Sequence, residues 1–231
     1  MVASKRHCNT RTSMTTLNLP KGYLSHSSVS TWLRSRKQFR ELYYPPTKSL
    51  YETKEISFGK KTGKEYEMLH TEESWPVSND VIRRIPRHTA AEQELLFTLG
   101  EVPFKGYIDS FCPKTGSIIE LKTGRKTSPW NQARVNRHDQ LVAYVIGVKA
   151  LFGEANPYVK LIWLPTHDVE TSGSIDGVEF STKELALTGE HHIFSRCVQL
   201  SDITEYTKKV ENVAREISED YTMYKRLKGL E

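Results

Sequence analysis

Two apolar segments on either side of a turn sequence constrain the fold more than any other part of this chain. They read GYIDSF and SIIELK, and the residues between them, Pro113-Lys114-Thr115-Gly116, are typical of a β-turn. The pattern predicts an antiparallel hairpin of two strands, about 102–111 and 117–122. A loop of four residues and a loop of two residues give the same register, which places Cys112 opposite Ser117.

This register brings two acidic residues together. Asp109 lies directly opposite Glu120, so both side chains project from one face with Cβ atoms about 4.5–5.5 Å apart. Lys122 is two residues beyond Glu120 and therefore shares that face. A loop of three or five residues would shift the register by one residue and separate the acids. The apolar residues of the hairpin are expected to point the other way, into a core: Ile108, Ile119 and Leu121.

Paired carboxylates with a neighbouring lysine indicate a particular chemistry. Like charges directly opposite each other are destabilising unless a cation lies between them. Two hard oxygen ligands at one point suit Mg²⁺ or Mn²⁺. The Lys122 ammonium is then placed to orient or deprotonate a water, or to hold a phosphate. The alternative is an ordinary half-exposed hairpin whose outer face carries Asp, Glu and Lys.

The remaining elements are predicted from periodicity and capping residues. Helices are expected from near Val29 to Pro45-Pro46, over about 58–71, over about 130–152, and from Asp202, with Glu205 completing a capping box, through Leu227. Residues 158–164 are expected to form a buried strand, and 166–179 a loop or hairpin. Gly59 and Gly63 lie in the first turns of the second helix. Each costs about 1 kcal/mol relative to alanine, which indicates that something approaches closely there.

Length and composition suit one soluble domain with a polyanionic partner. The 231 residues carry a formal net charge of +5. Residues 1–21 are polar and basic and are expected to form a flexible arm, with a single domain over 22–231. The three cysteines, Cys8, Cys112 and Cys197, form no CxxC pair, so neither a zinc ribbon nor an iron–sulfur cluster is expected. The sequence predicts a cytoplasmic protein without a membrane partner, because no signal peptide or long apolar run is visible.

The hairpin and the helix after it resemble a known enzyme family. GYIDSF, IIELKTG and a helix with Gln140 and Tyr144 look like the PD-(D/E)XK nuclease superfamily, and most like its RecB-type branch of phage and CRISPR-associated exonucleases. The resemblance implies a restriction-endonuclease-like α/β core, a mixed central β-sheet flanked by helices. It also implies that Asp109 and Glu120 bind the metal and that Lys122 is the catalytic lysine. Gln140 and Tyr144 would match the QxxxY motif that supports the site and the DNA backbone.

The resemblance covers roughly residues 24–165, and one position in it departs from the family pattern. The family carries an acid or a histidine on a helix before the hairpin, and we expect Glu67 to be this further ligand, with Glu65 as its rival. Many RecB-type relatives have a histidine where this chain has Gly63. Relatives with an iron–sulfur cluster have four cysteines for it, which this chain does not match.

The predicted activity is therefore phosphodiester hydrolysis by a Mg²⁺- or Mn²⁺-dependent deoxyribonuclease. The RecB-type likeness favours an exonuclease of DNA recombination, repair or phage DNA processing, in the cytoplasm, associated with the nucleoid or encoded by a phage. DNA is the expected partner, and other recombination or replication proteins are possible partners. Seven basic residues are expected to contact DNA phosphates: Lys60, Lys61, Lys64, Arg125, Lys126, Arg134 and Arg137.

Three alternatives stay open at this level. The first is an endonuclease of the same fold, which would use the same chemistry. The second is a non-catalytic DNA-binding or recombination-assembly protein. The third is an unrelated basic helical protein with an ordinary surface hairpin. The strand polarity and the oligomeric state cannot be read from the sequence.

Overall fold

The computed structural model describes residues 17–45, 52–153, 156, 158–175 and 178–230. Residues 1–16, most of the predicted basic arm, lie outside the described residues. The remainder of that segment lies against the body of the protein. Leu19 is buried, and Asn18 donates hydrogen bonds to the hydroxyls of Ser218 and Thr222 at 2.8 and 3.0 Å.

The chain forms a mixed α/β fold, as predicted, with one six-stranded sheet, flanking helices and a long C-terminal helix. The helices of the described residues are α1 (His26–Arg34), α2 (Arg36–Tyr43), α3 (Lys54–Met68), α4 (Val81–Arg84), α5 (Gln132–Asn136), α6 (Asp139–Phe152) and α7 (Leu200–Lys228). The strands are β1 (Ala90–Leu99), β2 (Val102–Cys112), β3 (Ser117–Arg125), β4 (Tyr158–Ile175), β5 (Val178–Leu187) and β6 (His192–Cys197). The strand order is β1-β2-β3-β4-β5, and β6 pairs with β4. Only β3 and β4 pair in parallel within this sheet, and the other pairs are antiparallel.

The central strands are buried on both faces. Ile118 of β3 and Leu161 of β4 belong to a large apolar cluster that includes residues of α1, α6 and α7. Ile119 and Ile162, their neighbours in sequence, belong to a second cluster with residues of α3 and α4. Alternate residues of a strand point to opposite faces, so helices cover both sides of the sheet. This explains why β3 and β4 read as nearly continuous apolar runs.

Two predicted helices are each divided in two. Ser35 has extended backbone (φ −160°), and its hydroxyl accepts from the Gln38 N–H, so it ends α1 and caps α2. The helix predicted over 130–152 is divided at Arg137 and His138 into α5 and α6. The helix predicted from Phe58 begins at Lys54, because Thr53 supplies an N-cap.

Several expectations about the strands and the last helix were wrong in detail. β1 and β6 were not predicted, whereas the hairpin alternative for residues 166–179 is confirmed by the antiparallel pairing of β4 with β5. Helix α7 begins before Asp202, whose carboxylate accepts from the Gln199 N–H at 2.8 Å, so Asp202 lies in the first turn instead of capping it. Ile108 is buried in the larger cluster and not with Leu121, because β2 is irregular at Asp109.

Within the described residues, none of the helices has both the length and the apolar character needed to cross a membrane.

Candidate active site

The register of the β2–β3 hairpin is the one predicted from the turn. Ser110 pairs with Ile119 and Cys112 pairs with Ser117 across a loop of residues 113–116. Gly116 closes this loop with φ 63°, a left-handed conformation that glycine adopts without steric cost. The turn therefore decides which side chains of the two strands meet.

Asp109 and Glu120 lie one step beyond the last paired residues of this hairpin. Glu120 is buried, at 2% exposed, and Asp109 is half-buried. The Asp109 carboxylate accepts a hydrogen bond from the Leu121 N–H at 2.6 Å. Burial and the negative charge of Glu120 raise the pKa of Asp109 well above its usual value. The site therefore holds two carboxylates that oppose each other's ionisation.

Lys122 connects this pair of acids to helix α6. Its ammonium donates to the Glu120 carboxylate and, at 2.9 Å, to the side-chain oxygen of Gln140. Burial by itself would lower the pKa of Lys122, but the charges of Glu120 and Asp109 outweigh it and raise that pKa. Lys122 is therefore an ammonium at neutral pH and acts as a donor.

Gln140 and Tyr144 extend the same chain of hydrogen bonds into the core. They lie one turn apart on α6, and the Gln140 amide donates to the Tyr144 hydroxyl at 2.5 Å. Tyr144 in turn donates to the backbone oxygen of Tyr107 on β2. Gly106 lets this ring lie close to the strand, since a Cβ there would be 3.1 Å from the Tyr144 ring. The sheet thus fixes the position of the Lys122 ammonium through the half-buried Gln140 and the buried Tyr144.

One oxygen of the Glu120 carboxylate lacks a hydrogen-bond donor among the described residues. Its Oε2 is buried and has no hydrogen-bond partner among the described residues. A buried carboxylate oxygen without a donor is costly, and a bound cation would remove that cost. In the described part of the chain, no three His, Cys, Asp or Glu side chains are gathered closely enough to hold a metal by themselves. Asp109 and Glu120 therefore fit a divalent cation that keeps water among its ligands.

The helix acids predicted to complete this site have other partners in the structure. Glu67 forms an ion pair with Lys64 at 3.0 Å on the surface of α3. Glu65, its rival, is buried and accepts hydrogen bonds from the backbone N–H and hydroxyl of Ser78 at 2.8 and 2.9 Å. Glu65 is thus committed to holding the loop after α3. Glu67 stays a prediction.

Sequence reasoning missed a further acid, Glu92 on β1. It lies between the pairs Ala91–Ser110 and Gln93–Ile108, which puts it across from Asp109. Burial and the charges of Glu67 and Glu120 raise the pKa of Glu92, and Glu92 in turn contributes to the raised pKa of Asp109. Glu92 can be found only from the register of β1 against β2, and the sequence analysis did not predict β1.

The two glycines of α3 differ in what approaches them. A Cβ on Gly59 would lie 3.2 Å from the Thr123 hydroxyl, so the expected close approach is present and is made by β3. A Cβ on Gly63 would meet no described atom within 4 Å. Gly63 therefore faces open space.

Comparison with known proteins supports the fold. No protein-family model matches the chain, and no curated protein matches its sequence. A crystal structure of a Eubacterium rectale protein named "Putative exonuclease" superposes with a TM-score of 0.50 and 11% sequence identity, over 93% of this chain and 88% of that one. The fold is shared with that protein. The crystal structure of SSO0001 gives a TM-score of 0.45 and 14% identity, over 83% and 75% of the two chains. The second likeness is too distant to support an argument.

The basic residues predicted to contact DNA are mostly exposed, and most are already paired. The partners are Glu52 for Lys60, Glu67 for Lys64, Glu55 and Asp168 for Arg125, and Glu190 for Lys126, while Arg134 lies 4.0 Å over the Trp130 ring and Arg137 donates to the Ala133 carbonyl. Lys61 is exposed on α3. Exposed pairs are worth about 0–1 kcal/mol, so a phosphate can displace the acidic partner at little cost.

Proposed function

We propose that this protein is a divalent-metal-dependent deoxyribonuclease of the PD-(D/E)XK superfamily, in its RecB-type branch. The observation that carries the proposal is the Lys122 ammonium, held between Glu120 and Gln140 beside the unpartnered Glu120 Oε2. A protein that only binds DNA gains nothing from two adjacent acids, one of them buried, that oppose each other's ionisation. A hydrolytic site does, because the same acids hold a cation where phosphate charge develops.

Each residue then has a defined task. Asp109 and Glu120 would hold Mg²⁺ or Mn²⁺, which supplies charge neutralisation and an acidified water. Lys122 donates a hydrogen bond to a phosphate oxygen or to the attacking water. Gln140 fixes the Lys122 ammonium, and Tyr144 fixes Gln140 by its link to the β2 backbone.

Glu67 would have a secondary role beside Asp109 and Glu120. Glu67 can join it, as a ligand or through water, only if its ion pair with Lys64 opens. A phosphate approaching Lys64 would favour that opening, since it competes for the same ammonium.

An exonuclease in DNA recombination, repair or phage DNA processing is the form of this activity that we favour. The Eubacterium rectale protein with the same fold carries the name of an exonuclease, which agrees with the RecB-type likeness of the sequence. The surface cations near the site suit a DNA backbone. Other recombination or replication proteins would then be natural partners.

The test is digestion of linear and circular DNA, each single- and double-stranded, with Mg²⁺, with Mn²⁺ and with EDTA. We expect cleavage of linear DNA that needs the metal and is lost in Glu120→Gln, which keeps the shape of the side chain. Thermal unfolding of the same samples should show a rise in Tm with Mg²⁺ that Glu120→Gln removes. Absence of cleavage with either metal would overturn the nuclease, and cleavage of circles equal to that of linear DNA would make it an endonuclease.

A further inference from the structure

A cavity of about 430 Å³ adjoins the proposed active site, and the proposed chemistry does not use it. Lys122, Gln140 and Tyr144 form one part of its wall, so it is continuous with the position of the Lys122 ammonium. The rest of the wall comes from residues 21–28, from Tyr43 at the end of α2 and from β2. Its volume lies near the lower end of the range of about 300–1,000 Å³ for small-molecule sites.

Besides Tyr144, three tyrosines line this cavity: Tyr23, Tyr43 and Tyr107. Tyr107 is 44% exposed although it stands beside a buried network, so its ring offers a face that the protein does not cover. Its hydroxyl is held by Glu94 at 2.7 Å, which fixes the orientation of the ring. Fixed, accessible aromatic rings are the surfaces on which proteins stack nucleobases.

The charged side chains in the wall of the same cavity are lysines. Three ammonium groups line it, from Lys21, Lys105 and Lys122, and no aspartate or glutamate is among the described residues of its wall. The Lys21 ammonium lies 4.8 Å over the Tyr43 ring, and Lys105 lies 5.2 Å over the Tyr107 ring. Lys105 is also paired with Glu94 at 3.0 Å behind the wall. A ligand that matches both the aromatic rings and the lysines of this cavity needs a flat apolar group and a negative charge.

We propose that this cavity binds the terminal nucleotide of a DNA strand, with its base against the tyrosines and its phosphate near Lys21 and the Ser25 and Ser27 hydroxyls. A cavity of this size takes one nucleotide and not a length of duplex. The phosphodiester next to that nucleotide then lies toward Lys122 and the two acids. This arrangement selects the bond beside a strand end, which is the property that separates an exonuclease from an endonuclease. The inference rests on the proposed nuclease function.

The experiment follows the fluorescence of 2-aminopurine in a single-stranded oligonucleotide, bound by the full chain in EDTA at about 50 mM salt. The base analogue is placed at the 5′ end, at the 3′ end or in the middle of the same sequence. We expect quenching at one end and not in the middle. Tyr107→Ala should remove it and weaken binding about 5- to 150-fold, as for loss of one stacked base.

Two control variants separate stacking from unspecific effects. Tyr107→Phe keeps the ring and should keep the quenching. Tyr158→Ala removes a tyrosine that is 62% exposed on β4 and lies outside the cavity wall, and it should behave as the parent protein. Quenching equal at all three positions, quenching that survives Tyr107→Ala, or no binding of the oligonucleotide would each overturn the proposal.

The two proposals fail in different ways. If DNA is cut in a metal-dependent manner but no end-specific quenching is seen, only the terminal-nucleotide site is wrong. If end-specific quenching depends on Tyr107 but no metal supports cleavage, the site stands and the nuclease is wrong.

Discussion

The Asp109 carboxylate accepts a hydrogen bond from the backbone N–H of Leu121 at 2.6 Å, just past the last paired residues of the β2–β3 hairpin. The Leu121 N–H therefore donates to a side-chain oxygen, whereas in a regular β-ladder it would donate to a backbone carbonyl of β2. This contact places Asp109 beside Glu120 and holds both acids at the point where the strands separate. Without a cation, the repulsion between the two carboxylates lowers the stability of the fold.

Asp109→Asn should abolish cleavage without weakening the metal-free fold. Asparagine keeps an acceptor for the Leu121 N–H but removes the charge that opposes Glu120. Since the folded-state pKa of Asp109 is raised, its ionised form opposes folding above the unfolded pKa of about 4, and that penalty disappears as the pH falls. We expect a loss of activity of about 100-fold or more and a Tm in EDTA, at pH 7, equal to or above that of the parent. A clearly lower Tm would show that the Asp109 charge is not a source of strain.

Glu92 carries two separate penalties that two substitutions distinguish. Its φ of 46° is unusual for glutamate, and its charge adds to those of Asp109 and Glu120. Glu92→Gln removes the charge alone, whereas Glu92→Asn also suits the left-handed backbone. We expect both to raise the metal-free stability, with Asn exceeding Gln by up to about 1 kcal/mol. Urea unfolding in EDTA measures this, and equal stability of the two variants would argue against backbone strain.

The contact of Asp220 with helix α2 should make stability fall in acid. Burial would raise the pKa of Asp220, but hydrogen bonds from Arg40 at 2.9 Å and from Tyr44 at 2.6 Å lower it. A lowered folded-state pKa gives stability that is fully present above the unfolded pKa of about 4 and is lost as the pH falls through the folded value.

Asp220→Asn should therefore destabilise the protein by about 1–2 kcal/mol at pH 7, a figure kept low because Arg40 is half exposed. The difference from the parent should shrink below about pH 4. The matched control is Glu170→Gln, which breaks an exposed pair with Lys183 at 3.9 Å and should change stability by less than about 0.5 kcal/mol. A difference for Asp220→Asn that stays constant from pH 7 to pH 3 would contradict the role of its charge.

The helical glycines Gly63 and Gly147 should respond oppositely to alanine. A Cβ on Gly147 would lie 2.6 Å from the Phe97 ring and 2.9 Å from Leu95, so Gly147→Ala overpacks the interface of α6 with β1 and should cost about 1–3 kcal/mol. Gly63 has open space, so Gly63→Ala should gain about 0.5–1 kcal/mol from helix propensity. Both are read from chemical unfolding. Stabilisation by Gly147→Ala would mean that the ring of Phe97 moves aside freely.

Much of the site's central geometry was readable from the chain because it depends on local chemistry. The turn sequence at 113–116 favours a loop of two or four residues, both of which give the observed register, and loop length decides which strand residues meet. Lys122 follows from the two-residue period of a strand. Gln140 and Tyr144 were identified through the family resemblance, and their four-residue spacing places them on one face of a helix. Such relationships need only one element or two adjacent ones.

Tertiary structure decided the parts that depend on distant segments. Glu92 reaches Asp109 only through the register of β1, which has no turn signal comparable to that of the β2–β3 hairpin. Glu65 is held by Ser78, which lies beyond α3, and the sequence pattern of the helix does not predict this contact; Glu67 instead pairs with Lys64 on the same helix. The sequence determined the Asp109, Glu120 and Lys122 set, because short-range geometry suffices for it. The packing of residues 21–28 and Tyr43 against β2 decided that a charged aromatic cavity lies beside that set, because no local pattern specifies contacts between elements so far apart in the chain.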